Sequence, residues 1–155
     1  MSAVRLLLVD DNPEVLDTLA DILEPSYEIA GALSSGAAVV EGAATLKPDV
    51  VLLDISLRDM TGFEVARRLK KSGSPARIIF LTVHENIDFI RAAFDLQAAG
   101  YVYKSRIGSD LMDAINTVCE GKRFSSADVA AKTCSIATPP SAVPSSNTSS
   151  TSPIS

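Results

Sequence analysis

One histidine and two cysteines are all the imidazole and thiol metal ligands that these 155 residues offer. Cys119 and Cys134 have no second Cys or His at a metal-ligand spacing, which excludes a structural zinc site and a disulfide framework. Thiols so few point to a reducing compartment, and the cytoplasm is the expected location. No glycine-rich phosphate loop is present, so nucleotide- or flavin-dependent chemistry has no support. Long hydrophobic runs are missing as well. The N-terminus has only a short apolar run, Leu6 to Val9, before Asp10 and Asp11, which is neither a signal peptide nor a membrane span. Positive charge is scarce: 14 Lys and Arg against 19 Asp and Glu give a net charge of −5. That balance argues against direct nucleic-acid binding, because phosphate contacts need surplus cations.

What is present reads as one soluble domain with a real core, since 46% of residues are hydrophobic and 21% charged. Composition changes abruptly near residue 132. From Thr133 to Ser155 there is no charged residue, and Ser, Thr and Pro fill most positions. Such a segment buries too little apolar surface to offset its ordering entropy. The expected division is therefore a domain over residues 1–125 and a disordered tail or linker over 126–155.

Within the domain, short apolar runs alternate with helical patterns. Val4–Val9, Tyr27–Leu33, Val50–Leu53, Ile78–Leu81 and Tyr101–Tyr103 read as strands. Asn12 offers an N-cap and Pro13 a first helical position, after which Val15, Leu16, Leu19, Ile22 and Leu23 recur at helical spacing. Ala37–Leu46 reads as a small-residue helix ended by Pro48. Phe63, Ala66 and Leu69 mark the next helix, and Ile87–Leu96 another. The last carries Leu111, Ile115 and Val118, with Gly121 as its stop. Five strands alternating with five helices predict an α/β fold, a doubly wound five-stranded parallel sheet with helices on both faces. Strands that are continuous apolar runs are what such a doubly covered sheet requires.

Sites in these folds lie at the carboxyl ends of the strands. There the sequence places Asp10 and Asp11, Asp54, Thr82 and Lys104. Clustered carboxylates repel; two unit charges about 4 Å apart cost about 4 kcal/mol at an effective dielectric near 20. A hard divalent cation relieves this, and an all-oxygen shell with several waters suits Mg²⁺. Lys104 can neutralise part of the charge and meet an incoming phosphoryl oxygen.

With LLLVDDNPEV, VVLLDISLRDMTGFEVARRL, IIFLTVHEN and GYVYKS in these places, the sequence resembles the response-regulator receiver family across roughly residues 4 to 125. The resemblance implies a flavodoxin-like strand order 2-1-3-4-5 and a phosphoryl group accepted on Asp54 from a sensor histidine kinase or phosphotransfer protein. It implies direct Mg²⁺ ligation by Asp11, Asp54 and the backbone carbonyl of Ser56, with Asp10 acting mainly through a coordinated water. Thr82 and Tyr101 match the family's switch pair. On phosphorylation the Thr82 hydroxyl would be drawn to the phosphoryl group and Tyr101 would turn into the space vacated. The segments Tyr101–Ser105 and GKRFSS most resemble regulators with a helix-turn-helix output, yet no basic recognition helix follows Arg123 here.

Arg58 stands four residues after Asp54, where the family usually has proline, and puts a long cation near the site mouth. Val83 replaces a commonly smaller residue. Ser56 and His84 occupy positions that in the family tune dephosphorylation. His84 is not set on the exposed helical hairpin of a phosphorylatable histidine and reads as part of the rim. An aspartyl-phosphate phosphohydrolase would show D-x-D-x-T, but its second acid is replaced by Ser56. A binding-only pseudo-receiver would not need all five groups. Finally, Ile87, Phe89, Ile90, Ala93, Phe94 and Leu96 cover about half the circumference of their helix, wider than the stripe of roughly 100° that a surface helix buries. Phe89 and Leu96 at its edge suggest a homodimer or effector surface on the 87–96 side.

Overall fold

The computed structural model describes residues 4–83 and 85–126. Along the chain run β1 (Arg5–Val9), α1 (Pro13–Leu23), β2 (Glu28–Leu33), α2 (Gly36–Leu46), β3 (Val50–Asp54) and α3 (Gly62–Lys71). β4 (Arg77–Thr82), α4 (Ile87–Asp95), β5 (Gly100–Tyr103), a 3-10 turn (Lys104–Arg106), α5 (Ile107–Cys119) and β6 (Phe124–Ser125) complete it. Polar caps start the helices just beyond the strand ends. Asn12, Ser35, Thr61 and Asn86 each accept a backbone N–H of the first turn of α1, α2, α3 and α4, at 2.9, 3.2, 3.1 and 2.7 Å. Pro13 sits where its missing N–H has no helical partner to lose. α2 ends at Leu46, with Lys47 in a left-handed conformation (φ 50°) ahead of Pro48. α5 ends at Cys119, and Gly121 takes φ 85° as a glycine can without strain.

All strands pair in parallel, in the order β2-β1-β3-β4-β5-β6. The order matches the expectation, but there are six strands, not five. Phe124 N–H donates to Ala99 O at 3.0 Å, which starts the extra strand at the edge. Two residues carry no periodicity, so only pairing with β5 reveals it.

The core divides by strand parity. Leu6, Leu8, Val50, Leu52, Ile79, Leu81 and Val102 face α1 and α5, meeting Leu19, Leu23, Leu111, Ile115 and Val118. On the opposite face Phe80 of β4 and Phe63 of α3 meet edge to face, with ring centroids 5.2 Å apart. A fully buried Leu or Ile contributes roughly 1.5–3 kcal/mol, so the central strands are the rigid frame of the molecule. The residue after each strand inherits that rigidity.

The apolar edge of α4 is partly covered. Phe89 is half-buried and reaches Phe63 (6.0 Å between centroids), and Leu96 is also half-buried. Its exposed large apolar residue is Ile87, and Val83 of the preceding loop is exposed as well. The wide stripe arises because α4 packs against α3 as well as the sheet. Among the described residues no helix is long and apolar enough to cross a membrane. The Ser/Thr/Pro-rich tail and His84 lie outside the described residues.

Candidate functional site

β1, β3 and the turn after β5 deliver four ionisable groups to one place. Carboxylate oxygens of Asp10, Asp11 and Asp54 lie within 4.8 Å of one another. Lys104 Nζ sits between two of them, 2.7 Å from Asp10 Oδ2 and 3.3 Å from Asp54 Oδ2. The backbone adds further hold. Asn12 N–H donates to Asp10 Oδ1 at 2.9 Å, and Ser56 N–H to Asp54 Oδ1 at 3.1 Å. Asp10 is fully buried, Asp54 nearly so, and Asp11 opens to solvent.

Burial pushes the Asp54 carboxyl up from its usual range, and the charge of Asp10 adds to this; the Ser56 N–H and Lys104 oppose it without cancelling it. For Lys104 burial works against the charged form, but contact with Asp10 and the charge of Asp54 outweigh it and the ammonium is held above its ordinary value. One lysine against three carboxylates leaves a surplus of negative charge. Asp10 Oδ2 is buried, and the Lys104 ammonium 2.7 Å away is the cation set against it. A hard cation fits this oxygen-only donor set, with Asp10, Asp11 and Asp54 as the side chains able to hold it.

The loop after β3 is fixed by contacts that sequence reading did not single out. Gly62 N–H donates to Ile55 O at 2.7 Å, and Ser56 pairs with Thr61 in an isolated antiparallel bridge. A Cβ on Gly62 would stand 2.4 Å from Asp54 O and 2.9 Å from Ile55 Cα, so only glycine lets α3 begin this close to the strand end. Asp59 accepts the N–H groups of Gly36 and Ala37, at 2.9 and 3.0 Å, at the start of α2. Those two bonds pull the Asp59 carboxyl below the usual range. An acid five residues after Asp54 was the available signal, but its partners lie 22 and 23 residues upstream.

Arg58 reaches back over the site, its Nε 3.7 Å from Asp11 Oδ2. Thr82 ends β4 and is buried. The Tyr101 side chain is fully buried and hydrogen-bonded to Thr82. The Tyr101 ring thus lies inside the domain in this structure. The ring meets Tyr103 edge-on, centroids 6.1 Å apart at 88°, and the hydroxyl has Thr82 as partner. With its polar end satisfied, nothing drives this ring back into water.

Burial pushes the Tyr101 hydroxyl up to about 12, despite the Thr82 bond, with Tyr103 adding to the rise. The folded state keeps its proton where the unfolded chain, with a tyrosine near about 10, loses it. This contribution to stability is complete below about pH 10 and falls away between about 10 and 12. Denaturant unfolding across that range should show a shallower loss for Tyr101→Phe than for the wild type.

Residues 6–116 match the family described as the response regulator receiver domain. The response regulator UvrY of Escherichia coli (strain K12) is 33% identical over 129 residues, which are 82% of this chain and 59% of UvrY. The transcriptional regulatory protein LiaR of Bacillus subtilis (strain 168) is 32% identical over 134 residues, 85% of this chain and 64% of LiaR. This chain thus spans about three fifths of the length of such curated relatives. The crystal structure of a LuxR-family two-component response regulator from Aurantimonas sp. SI85-9A1 aligns with a TM-score of 0.78 at 30% identity, covering 88% of this chain and 99% of that one. The apo REC domain of RcsB from Salmonella enterica serovar Typhimurium aligns at 0.74 with 26% identity, over 84% and 98% of the two chains.

Proposed function

Because this chain belongs to the response-regulator receiver family, we propose that residues 1–125 form a phosphorylatable switch whose acceptor is Asp54. The observation that carries this reading is the nearly buried Asp54 carboxylate, with Lys104 at 3.3 Å and two further acids beside it.

Asp10, Asp11, Asp54 and the backbone carbonyl of Ser56 would hold Mg²⁺, which when bound offsets the charge of the carboxylates and of the incoming phosphoryl oxygens. A carboxylate oxygen of Asp54 attacks phosphorus while the bond from phosphorus to the donor's leaving group breaks, giving an acyl phosphate. Ser56 N–H fixes the Asp54 carboxylate, and Lys104 supplies positive charge to the phosphoryl group. Positioning and charge neutralisation are what phosphoryl transfer needs most. Thr82 then exchanges its bond with Tyr101 for one to a phosphoryl oxygen, which loosens the Tyr101 anchor and passes the signal to the β4–α4 side. Attack of water on phosphorus releases phosphate and resets Asp54.

The donor we propose is the phosphohistidine of a sensor kinase or phosphotransfer protein, and the location the cytoplasm. The output is a second copy or an effector engaged through the α4 side. The net charge of −5 favours no direct nucleic-acid contact by this chain. The domain is a signalling module that takes up one phosphoryl group per chain, in contrast to the repeated turnover of an aspartyl-phosphate phosphohydrolase.

Incubation with Mg²⁺ and a small acyl-phosphate donor should load one phosphate per chain, released by hydroxylamine and mapped to Asp54. Sustained turnover of phosphate monoesters, or label on another residue, would sink this reading. Mg²⁺ alone should raise the melting temperature by relieving the acidic cluster.

A further inference from the structure

We infer that Arg58 is a displaceable counterion that competes with the divalent cation for Asp11. The inference rests on the receiver reading of the site and assigns a role to a residue that reading leaves unused.

Positive charge is divided unevenly over the three carboxylates. Lys104 lies within ion-pair distance of Asp10 and Asp54, and among the described residues the cation at that distance from Asp11 is Arg58. The two cations differ in how firmly they are held. The Lys104 side chain is 20% exposed, whereas that of Arg58 is 87% exposed. Backbone on both sides of Arg58 is nevertheless anchored. Leu57 is buried, and Asp59 is tied to the Gly36 and Ala37 amides. The result is a fixed base with a free arm. Its guanidinium returns to the neighbourhood of Asp11 whenever it swings away, so its local concentration there is high.

Asp11 is also the cluster's open member, with a side chain 23% exposed. A cation entering from solvent meets Asp11 first and has to displace Arg58 from it. That displacement is cheap, because an exposed ion pair at 3.7 Å contributes little in high dielectric. Arg58 therefore tunes how readily the site fills, without blocking it.

The test is a calorimetric Mg²⁺ titration at low ionic strength on the wild type, Arg58→Ala, Arg58→Glu and Arg91→Ala. The last removes another exposed positive charge, on α4, and controls for net charge. Arg58→Ala should bind Mg²⁺ about two- to fivefold more tightly, Arg58→Glu more tightly still, and Arg91→Ala like the wild type. The gain should shrink as KCl is added, since the pair is open to screening. Equal affinity of Arg58→Ala and wild type would overturn the inference, as would an equal gain in Arg91→Ala. Phosphoryl uptake on Asp54 measured alongside separates the two levels: intact uptake with unaltered affinity removes only the role of Arg58. A wild type that neither binds Mg²⁺ nor takes up phosphate removes the receiver reading itself.

Discussion

Asp54→Asn takes up no phosphate from a small donor and, without divalent cations, melts at a higher temperature than the wild type at neutral pH. The first half follows from chemistry. An amide offers no carboxylate oxygen to attack phosphorus, and Asp10, although buried in the same cluster, has one oxygen on the Asn12 N–H and the other against Lys104. The second half follows from charge. Burial and Asp10 hold the Asp54 carboxyl above its usual range, so ionising it is harder in the folded state than in the unfolded chain. Below the ordinary carboxylate range both states are protonated and no penalty exists. Above the raised folded value the penalty is complete. The stability gain of Asp54→Asn is therefore present at neutral pH and disappears on acidification through that window. Melting curves across the acidic range, with chelator present, measure it. A gain that persisted at low pH would point to packing, not charge.

Gly62→Ala is expected to lower stability by about 1–3 kcal/mol, the usual effect of forcing extra atoms into a filled space. Phosphoryl uptake should fall about a hundredfold, as a misplacement of about 1 Å can do. The added methyl meets backbone, not a yielding side chain: Asp54 O at 2.4 Å and Ile55 Cα at 2.9 Å. Either α3 retreats or the end of β3 moves. β3 lies between β1 and β4 with every residue buried, so the strain is relieved mainly in the loop that carries Ser56 and Arg58. Chemical denaturation together with phosphate incorporation tests both parts. Normal uptake in a folded but destabilised Gly62→Ala would show that the loop tolerates displacement. Gly73→Ala is no equivalent control, because Gly73 has φ 81° and is strained by any side chain.

Much of this protein was legible in the residues before any coordinates. Apolar runs such as Leu6–Val9 and Val50–Leu53 could be satisfied only by strands covered on both faces. Asn12 and Pro13 mark a helix start through local chemistry that needs no tertiary contact. Because a parallel α/β sheet gathers its strand ends on one edge, Asp10, Asp11, Asp54, Thr82 and Lys104 could be grouped from their positions alone. These are consequences of period and local chemistry, which a one-dimensional pattern records.

Packing decided the rest. The two-residue β6 exists only because an edge of β5 was open to it. That α4 hides Phe89 against Phe63, and that Tyr101 lies inside with its hydroxyl on Thr82, depend on cavities shaped by several elements at once. The same holds for Asp59 at the head of α2 and for Gly62 under Asp54 O. Lys104 between Asp10 and Asp54, and Arg58 beside Asp11, are pairings of charges far apart in the chain. Residue types and spacing determined which groups meet at the sheet edge. How they share hydrogen bonds and charge was settled only by distances of a few ångströms, which folding creates between segments with no local relation.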